Sequence, residues 1–213
     1  MEFLPEKIDQ YANDLTTPDS ELLQSLERET HLKVLSPRML SGHLQGRVLS
    51  LISHLMRPKY ILEIGTYTGY SAICLAEGLH PDGRLITIDR NDELETILSK
   101  YLLKSPKANQ IDLRIGYAAE IIPTLPDGID LVFIDADKPN YATYYDLVID
   151  KMNSGGLILA DNVLWSGKIV EEIKPNDKST RALHEFNLKV HHDSREENVL
   201  IPIRDGILAI RKL

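Results

Sequence analysis

Tyr60-Ile61-Leu62-Glu63-Ile64-Gly65-Thr66-Tyr67-Thr68-Gly69-Tyr70-Ser71 is the stretch on which the reading of this chain turns. A short, largely apolar run ends in a glycine, and a helical pattern starts at Tyr70. The run reads as a buried strand, Tyr60–Ile64, and the helix as Tyr70–Leu79. Gly65 lets the backbone turn tightly and lets a ligand come close to it. Gly65 and Gly69 are spaced G-x-x-x-G. Dinucleotide enzymes carry G-x-G-x-x-G, so the turn does not read as a pyrophosphate cradle.

Outward from this stretch the alternation continues. Further strands are expected at Arg84–Asp89, Ile111–Ile115, Ile129–Ile134 and Gly156–Ala160. Helices are expected near Asp92–Lys104, Ala118–Ile122 and Tyr141–Met152. Apolar strands separated by helices make a parallel sheet covered on both faces. Lys178–Lys189 reads as a helix, and Val199–Ile203 and Gly206–Arg211 as two strands whose tight turn makes them antiparallel. Upstream, Ser20-Glu21-Leu22 opens a helix running to Glu29. Ser36-Pro37 reads as a cap followed by proline at the first helical position. After it, Leu40, Leu44, Val48, Leu51, Ile52 and Leu55 recur at helical spacing until Pro58. The expected fold is α/β: a doubly wound, mostly parallel seven-stranded sheet with an antiparallel C-terminal strand and extra N-terminal helices. One domain is expected over residues 1–213, a helical cap at 1–57 and an α/β core at 58–213.

The 213 residues are 43% hydrophobic and 26% charged, with a formal charge of -8, as in a globular protein with one sizeable core. An acidic surface repels phosphate backbones, so nucleic acid is not the expected partner; it suits a cationic small molecule or a divalent metal. The one cysteine, Cys74, excludes an intramolecular disulfide and fits a reducing compartment. Met1–Gln10 carries charges and no long apolar run, and no window of about twenty apolar residues could span a bilayer. A cytoplasmic protein is expected. The seven histidines, His191-His192 among them, show no metal pattern and read as surface or helix-end residues.

In doubly wound sheets ligands sit beyond the C-terminal strand ends. Asp89 ends the second strand, where an acid can accept both hydrogens of a ribose diol. Phe133-Ile134-Asp135-Ala136-Asp137-Lys138 and Ala160-Asp161-Asn162-Val163-Leu164-Trp165 end the fourth and fifth. Asp135, Asp161 and Asn162 therefore bring three oxygen-bearing side chains to one edge. Hard cations such as Mg²⁺ favour such donors in octahedral geometry, leaving roughly three positions for other oxygens. The alternative is that each acid caps a helix or binds water. Lys138 is a candidate base beside them, or a surface lysine paired with Asp137. Trp165 could stack on an aromatic ligand or serve as a packing residue.

Leu62 to Ser71, with the two acidic strand ends, resembles the catechol and caffeoyl-coenzyme-A O-methyltransferase family, across residues 36 to 210. The resemblance implies a Rossmann-like methyltransferase fold and transfer of a methyl group from S-adenosylmethionine (SAM) to a hydroxyl of a catechol-like small molecule. It implies that Glu63, Gly65, Tyr67 and Ser71 line the methionine end of SAM, Asp89 the ribose, Ala118 the adenine and Asp135 the amino group. Asp135, Asp161 and Asn162 become ligands of a divalent metal, Mg²⁺ first with Ca²⁺ or Mn²⁺ as alternatives, and Lys138 the general base. Met39 and Ser41 fall where the family lines its substrate mouth, although packing or capping would account for them equally. A homodimer is the family's implied assembly. In the tail, Arg181, Phe186-Asn187 and Asp205-Gly206 match the family with different intervals, and the role of Arg204 stays open. Three rivals remain: a nicotinamide-dependent oxidoreductase, which lacks its glycine spacing here; the same methyl chemistry on a tRNA hydroxyuridine, which lacks a basic patch; and a non-catalytic scaffold, which would not need Asp135, Lys138, Asp161 and Asn162.

Overall fold

β1 (Tyr60–Ile64) is buried at all five positions, as a strand of this composition covered on both faces requires. It lies between β2 (Arg84–Asp89) and β4 (Ile129–Ile134) and runs parallel to both. β3 (Ile111–Ile115) pairs beyond β2 and β5 (Met152–Asp161) beyond β4, again in parallel. β7 (Ile207–Lys212) runs antiparallel to β5 and to the edge strand β6 (Glu196–Ile201). The order is β3-β2-β1-β4-β5-β7-β6. This is the doubly wound, mostly parallel seven-stranded sheet that the sequence led us to expect, with β7 its reversed strand. The structure, a computed structural model, describes residues 5–213. The first four residues of the charged Met1–Gln10 stretch lie outside them.

Successive strand residues face opposite sides of the sheet, and the core divides accordingly. One cluster takes Leu62, Ile64, Val132 and Ile134 against α7 (Tyr141–Ile149) and α8 (Lys178–His191). The other takes Ile61, Leu131 and Phe133 against α2 (Glu21–Lys33), α3 (His43–Met56), α4 (Tyr70–Ala76) and α5 (Glu95–Leu102). α1 (Glu6–Asp14) precedes these, and α6 (Ala118–Ile121) follows β3. Ser20 caps α2 as expected, its side chain accepting from the Leu23 amide at 3.3 Å. Among the described residues no helix is long and apolar enough to cross a membrane.

Several boundaries and one helix face differ from expectation: α2 runs on to Lys33, α4 ends at Ala76, α5 spans Glu95–Leu102, α7 ends at Ile149 and β6 begins at Glu196. Ser36-Pro37 opens only a 3₁₀ turn, Pro37–Met39, and the Ser36 side chain makes no cap. The helix proper begins at His43, because Gly42 sits at φ 75°, outside helical space. Its buried face is Gln45, Gly46, Leu49, Ser50 and Ser53, while Leu51 and Leu55 of the apolar stripe are 60% and 76% exposed. The reason is close helix contact: a β-carbon at Gly46 would stand 2.6 Å from the Tyr70 ring, and one at Gly78 2.2 Å from the backbone of Ser53 and His54. β5 starts at Met152, earlier than expected. β6 ends at Ile201, short of Ile203, because Pro202 has no N–H to pair.

β1 and β4 are sheet neighbours though far apart in sequence, with Ile64 opposite Ile134. The chain leaves β1 toward β2 and β3 and returns to β4 and β5 on the other side, so the strand order reverses at this pair. A crevice opens there, beyond the C-terminal strand ends. The close contact of α3 with the turn after α4, at the opposite edge of the sheet, is testable: Gly78→Ala should cost about 1–3 kcal/mol, as overpacking does, seen as a lowered melting temperature. An unchanged melting temperature would refute that contact.

Candidate active site

The glycine turn is fixed by close approach. Gly65 sits at φ 98°, and a β-carbon there would lie 1.9 Å from the Asp135 carbonyl oxygen. The Gly65 amide donates to the Ile88 carbonyl at 2.9 Å and the Asp135 amide to Ile64 at 2.9 Å. Asp89, half-buried, accepts from the Tyr67 amide at 2.7 Å and from the Asn91 amide at 2.9 Å, which ties the end of β2 to the turn. Glu63 is fully buried; it accepts from Thr87 Oγ1 at 2.5 Å, and its Oε1 has no hydrogen-bond partner among the described residues. Burial pushes its carboxyl up to about 7, and the charges of Asp135 and Asp89 add to the shift.

The acidic edge assembles from β4 and β5. Lys138, 9% exposed, stands in a 3₁₀ turn after Asp135. Its Nζ donates to Asn162 Oδ1 at 2.6 Å, Tyr141 Oη at 2.7 Å and Asp135 Oδ1 at 3.0 Å. The pairing with Asp137 is thus set aside. Asp137 accepts instead from Tyr144 Oη at 2.6 Å and Asn140 Nδ2 at 2.5 Å. Asp161, 2% exposed, accepts from Gln45 Nε2 at 2.7 Å and from the Asn162 amide at 2.8 Å. Burial and then the Asp135 charge hold its carboxyl above the ordinary range. Among the described residues no three His, Cys, Asp or Glu side chains cluster for a metal; the oxygen set here is two carboxylates and an amide.

A cavity of about 1750 Å³ joins these parts. Gly65, Tyr67, Asp89 and Ala118 line one end, and Asp135, Lys138, Asp161 and Asn162 another. Met39, Ser41 and Trp165 also line it, Met39 60% exposed and Ser41 buried. The Trp165 ring lies 5.9 Å from Lys138 Nζ and packs against the core on its other side. Ser71 lines a small recess with Gly65, Tyr67 and Asp135, and Glu63 lies beneath, lining neither. Tyr117, exposed beside Ala118, and Tyr141, which donates to the Asp161 carbonyl at 3.0 Å, went unnoticed in the sequence. Position was the only available signal: both follow strand ends. In the tail, Asn187 donates to the Val163 carbonyl at 3.0 Å and Phe186 packs edge-on against Tyr141, so this motif braces the acidic edge from behind.

The family model described as O-methyltransferase matches residues 13–213. A catechol O-methyltransferase of Niastella koreensis is 32% identical over 186 residues, covering 85% of this chain and 83% of that protein. A caffeoyl-CoA O-methyltransferase of Petroselinum crispum is 34% identical over 180 residues, covering 79% and 75%. The O-methyltransferase TomG of Streptomyces achromogenes, solved in complex with SAM, superposes with a TM-score of 0.90 at 28% identity over 97% of this chain and 96% of that one.

The buried Glu63 gives the fold a pH signature. Its carboxyl titrates higher folded than unfolded, so its contribution to stability is whole below the ordinary carboxyl range and is lost as pH rises through about 7. Glu63→Gln, which keeps an acceptor for Thr87, should gain in denaturation midpoint relative to wild type between pH 5 and pH 8. A gap independent of pH would contradict the assignment.

Proposed function

The chain belongs to the O-methyltransferase family, and from that premise we propose that it transfers a methyl group from SAM to one hydroxyl of a catechol-type small molecule, with a divalent cation, Mg²⁺ first, held by Asp135, Asp161 and Asn162. One observation carries the cation: the Lys138 ammonium is already gripped by Asp135 and Asn162 oxygens at 3.0 and 2.6 Å, beside the buried Asp161. Oxygens that gather round one positive charge fit a hard cation. For SAM, the support is the G-x-x-x-G turn, with Gly65, Tyr67 and Asp89 lining the cavity and Ser71 in the recess beside them. Bound there, the cation would stabilise a phenolate and SAM would supply the sulfonium methyl.

The chain's own residues do the rest. Asp89 and the glycine turn hold the donor, with Glu63 beneath the turn at the methionine end, Ala118 along the adenine, and Tyr67, Ser71 and Asp135 also at the methionine end. Met39, Ser41 and Trp165 orient the aromatic ring, which converts an encounter into a pre-aligned pair. Lys138 takes the hydroxyl proton at Nζ, which stands within hydrogen-bond reach of the Asp135 and Asn162 oxygens. The buried Tyr141 behind Lys138 and the half-buried Trp165 beside it limit water around that proton transfer. A homodimer is the expected assembly, and the outward stripe of Leu51 and Leu55 on α3 supports it.

The test is incubation with SAM and 3,4-dihydroxybenzoate or caffeate, with Mg²⁺ or with EDTA. Methylated product is expected with Mg²⁺ and none with EDTA; activity undiminished by complete chelation would sink the cation. Lys138→Ala should lower kcat by about 10²–10⁴-fold, the worth of a general base, with SAM affinity retained. Loss of SAM binding in that variant would make the lysine structural.

A further inference from the structure

Arg204 lies in the turn between β6 and β7 at φ 49°, a left-handed conformation that strains any β-carbon. A glycine would sit there without strain, so what holds an arginine must be found beyond Cβ. Its Nη1 donates to Gln45 Oε1 at 3.0 Å, and both Nη1 and Nη2 reach the Leu40 carbonyl at 3.5 Å. Gln45, on α3, is 1% exposed, and its Nε2 donates to Asp161 Oδ2 at 2.7 Å. The orientation of this amide is not free. A guanidinium only donates and an ionised carboxylate only accepts, so Oε1 must face Arg204 and Nε2 must face Asp161. The other Asp161 oxygen is held by the Asn162 amide at 2.8 Å. Two donors on two oxygens fix the plane of the carboxylate.

We propose that Gln45 is a positioning residue for the Asp161 carboxylate, and that Arg204 locks the Gln45 amide in the orientation that makes it one. The inference rests on the reading of Asp161 as a cation ligand and extends it to two residues outside the proposed ligand set. The buried amide works against rotation of a carboxylate that burial and Asp135 both disfavour as an anion. The turn has a second hold on the same edge, since the Leu164 amide donates to the Asp205 carbonyl at 2.9 Å.

The experiment is a Mn²⁺ titration of the purified protein, read by electron paramagnetic resonance of the free ion, for wild type, Gln45→Leu, Arg204→Gly and the double variant. Gln45→Leu should weaken Mn²⁺ binding by about 10–100-fold, as loss of a ligand's orienting partner does. Arg204→Gly should weaken it by about fivefold, the worth of one hydrogen bond. The double variant should bind no more weakly than Gln45→Leu alone, because Arg204 acts only through Gln45. If Gln45→Leu does not fold, Arg204→Gly, which removes a strained β-carbon, carries the test by itself. Unchanged Mn²⁺ affinity in the single variants, or full additivity in the double, overturns the inference while leaving Asp161 a ligand. A wild type that binds no Mn²⁺ overturns the ligand reading and this inference together.

Discussion

The approach of β1 to β4 at their C-terminal ends is the contact on which the rest depends. A β-carbon at residue 65 would fall 1.9 Å from the Asp135 carbonyl oxygen, so the two strand ends meet with no side chain between them. The bond from the Asp135 amide to Ile64 at 2.9 Å closes this seam at the point where the strand order reverses. Everything above it is placed by that register. Asp135 rises on one side and the glycine turn on the other. Lys138 reaches back over Asp135 to Asn162 on the next strand end. Any residue larger than glycine at 65 would part the seam and move Asp135 relative to both Lys138 and Asp161, so fold and site share one constraint.

Above the seam, charge is the governing quantity. Glu63, Asp89, Asp135 and Asp161 crowd one edge, and the only ion pair any of them makes among the described residues is that of Asp135 with Lys138. Glu63 and Asp161 are buried and both held above the ordinary carboxyl range, each feeling the charge of Asp135. Carboxylates removed from water are costly unless a positive group or several donors meet them. Asp161 has two donors, from Gln45 and the Asn162 amide. Glu63 has Thr87 on one oxygen alone. An edge so built favours cationic ligands over anionic ones, which agrees with a methyl donor that carries an ammonium and a sulfonium.

The strands and their acidic ends were legible because their signal is local. An apolar run with a glycine or an acid at its end states both the element and the edge it serves, and the first four strands fall at Tyr60–Ile64, Arg84–Asp89, Ile111–Ile115 and Ile129–Ile134 as read. The inner face of α3 was not legible. Periodicity reports that a helix has an apolar stripe, not that the opposite stripe of Gly46, Ser50 and Ser53 is the one a neighbouring helix can approach closely. Nor were Gln45 and Arg204, which meet across 159 positions with no pattern to join them. The spacing of Lys138 from Asp135 was visible, but its withdrawal from solvent depends on Tyr141 and Asn162, which only the folded chain brings around it.

The backbone carries the same emphasis. Six non-glycine residues among those described have positive φ, and all but Arg57, at the end of α3, border the site: Tyr67, Asn162, Trp165, Ser166 and Arg204. Such conformations cost on the order of 1–2 kcal/mol each. They persist because neighbouring bonds over-determine them: Tyr67 through its amide to Asp89, and Ser166 through its amide to Asp205. Asn162 differs in kind. Asparagine tolerates the left-handed region better than most residues, so one choice of residue meets both the turn and the need for a neutral oxygen facing Lys138. Tryptophan and arginine have no such tolerance. At Trp165 and Arg204 the side chain, not the backbone, is what the turn retains, and both side chains point to the same strand ends that the seam between β1 and β4 sets in place.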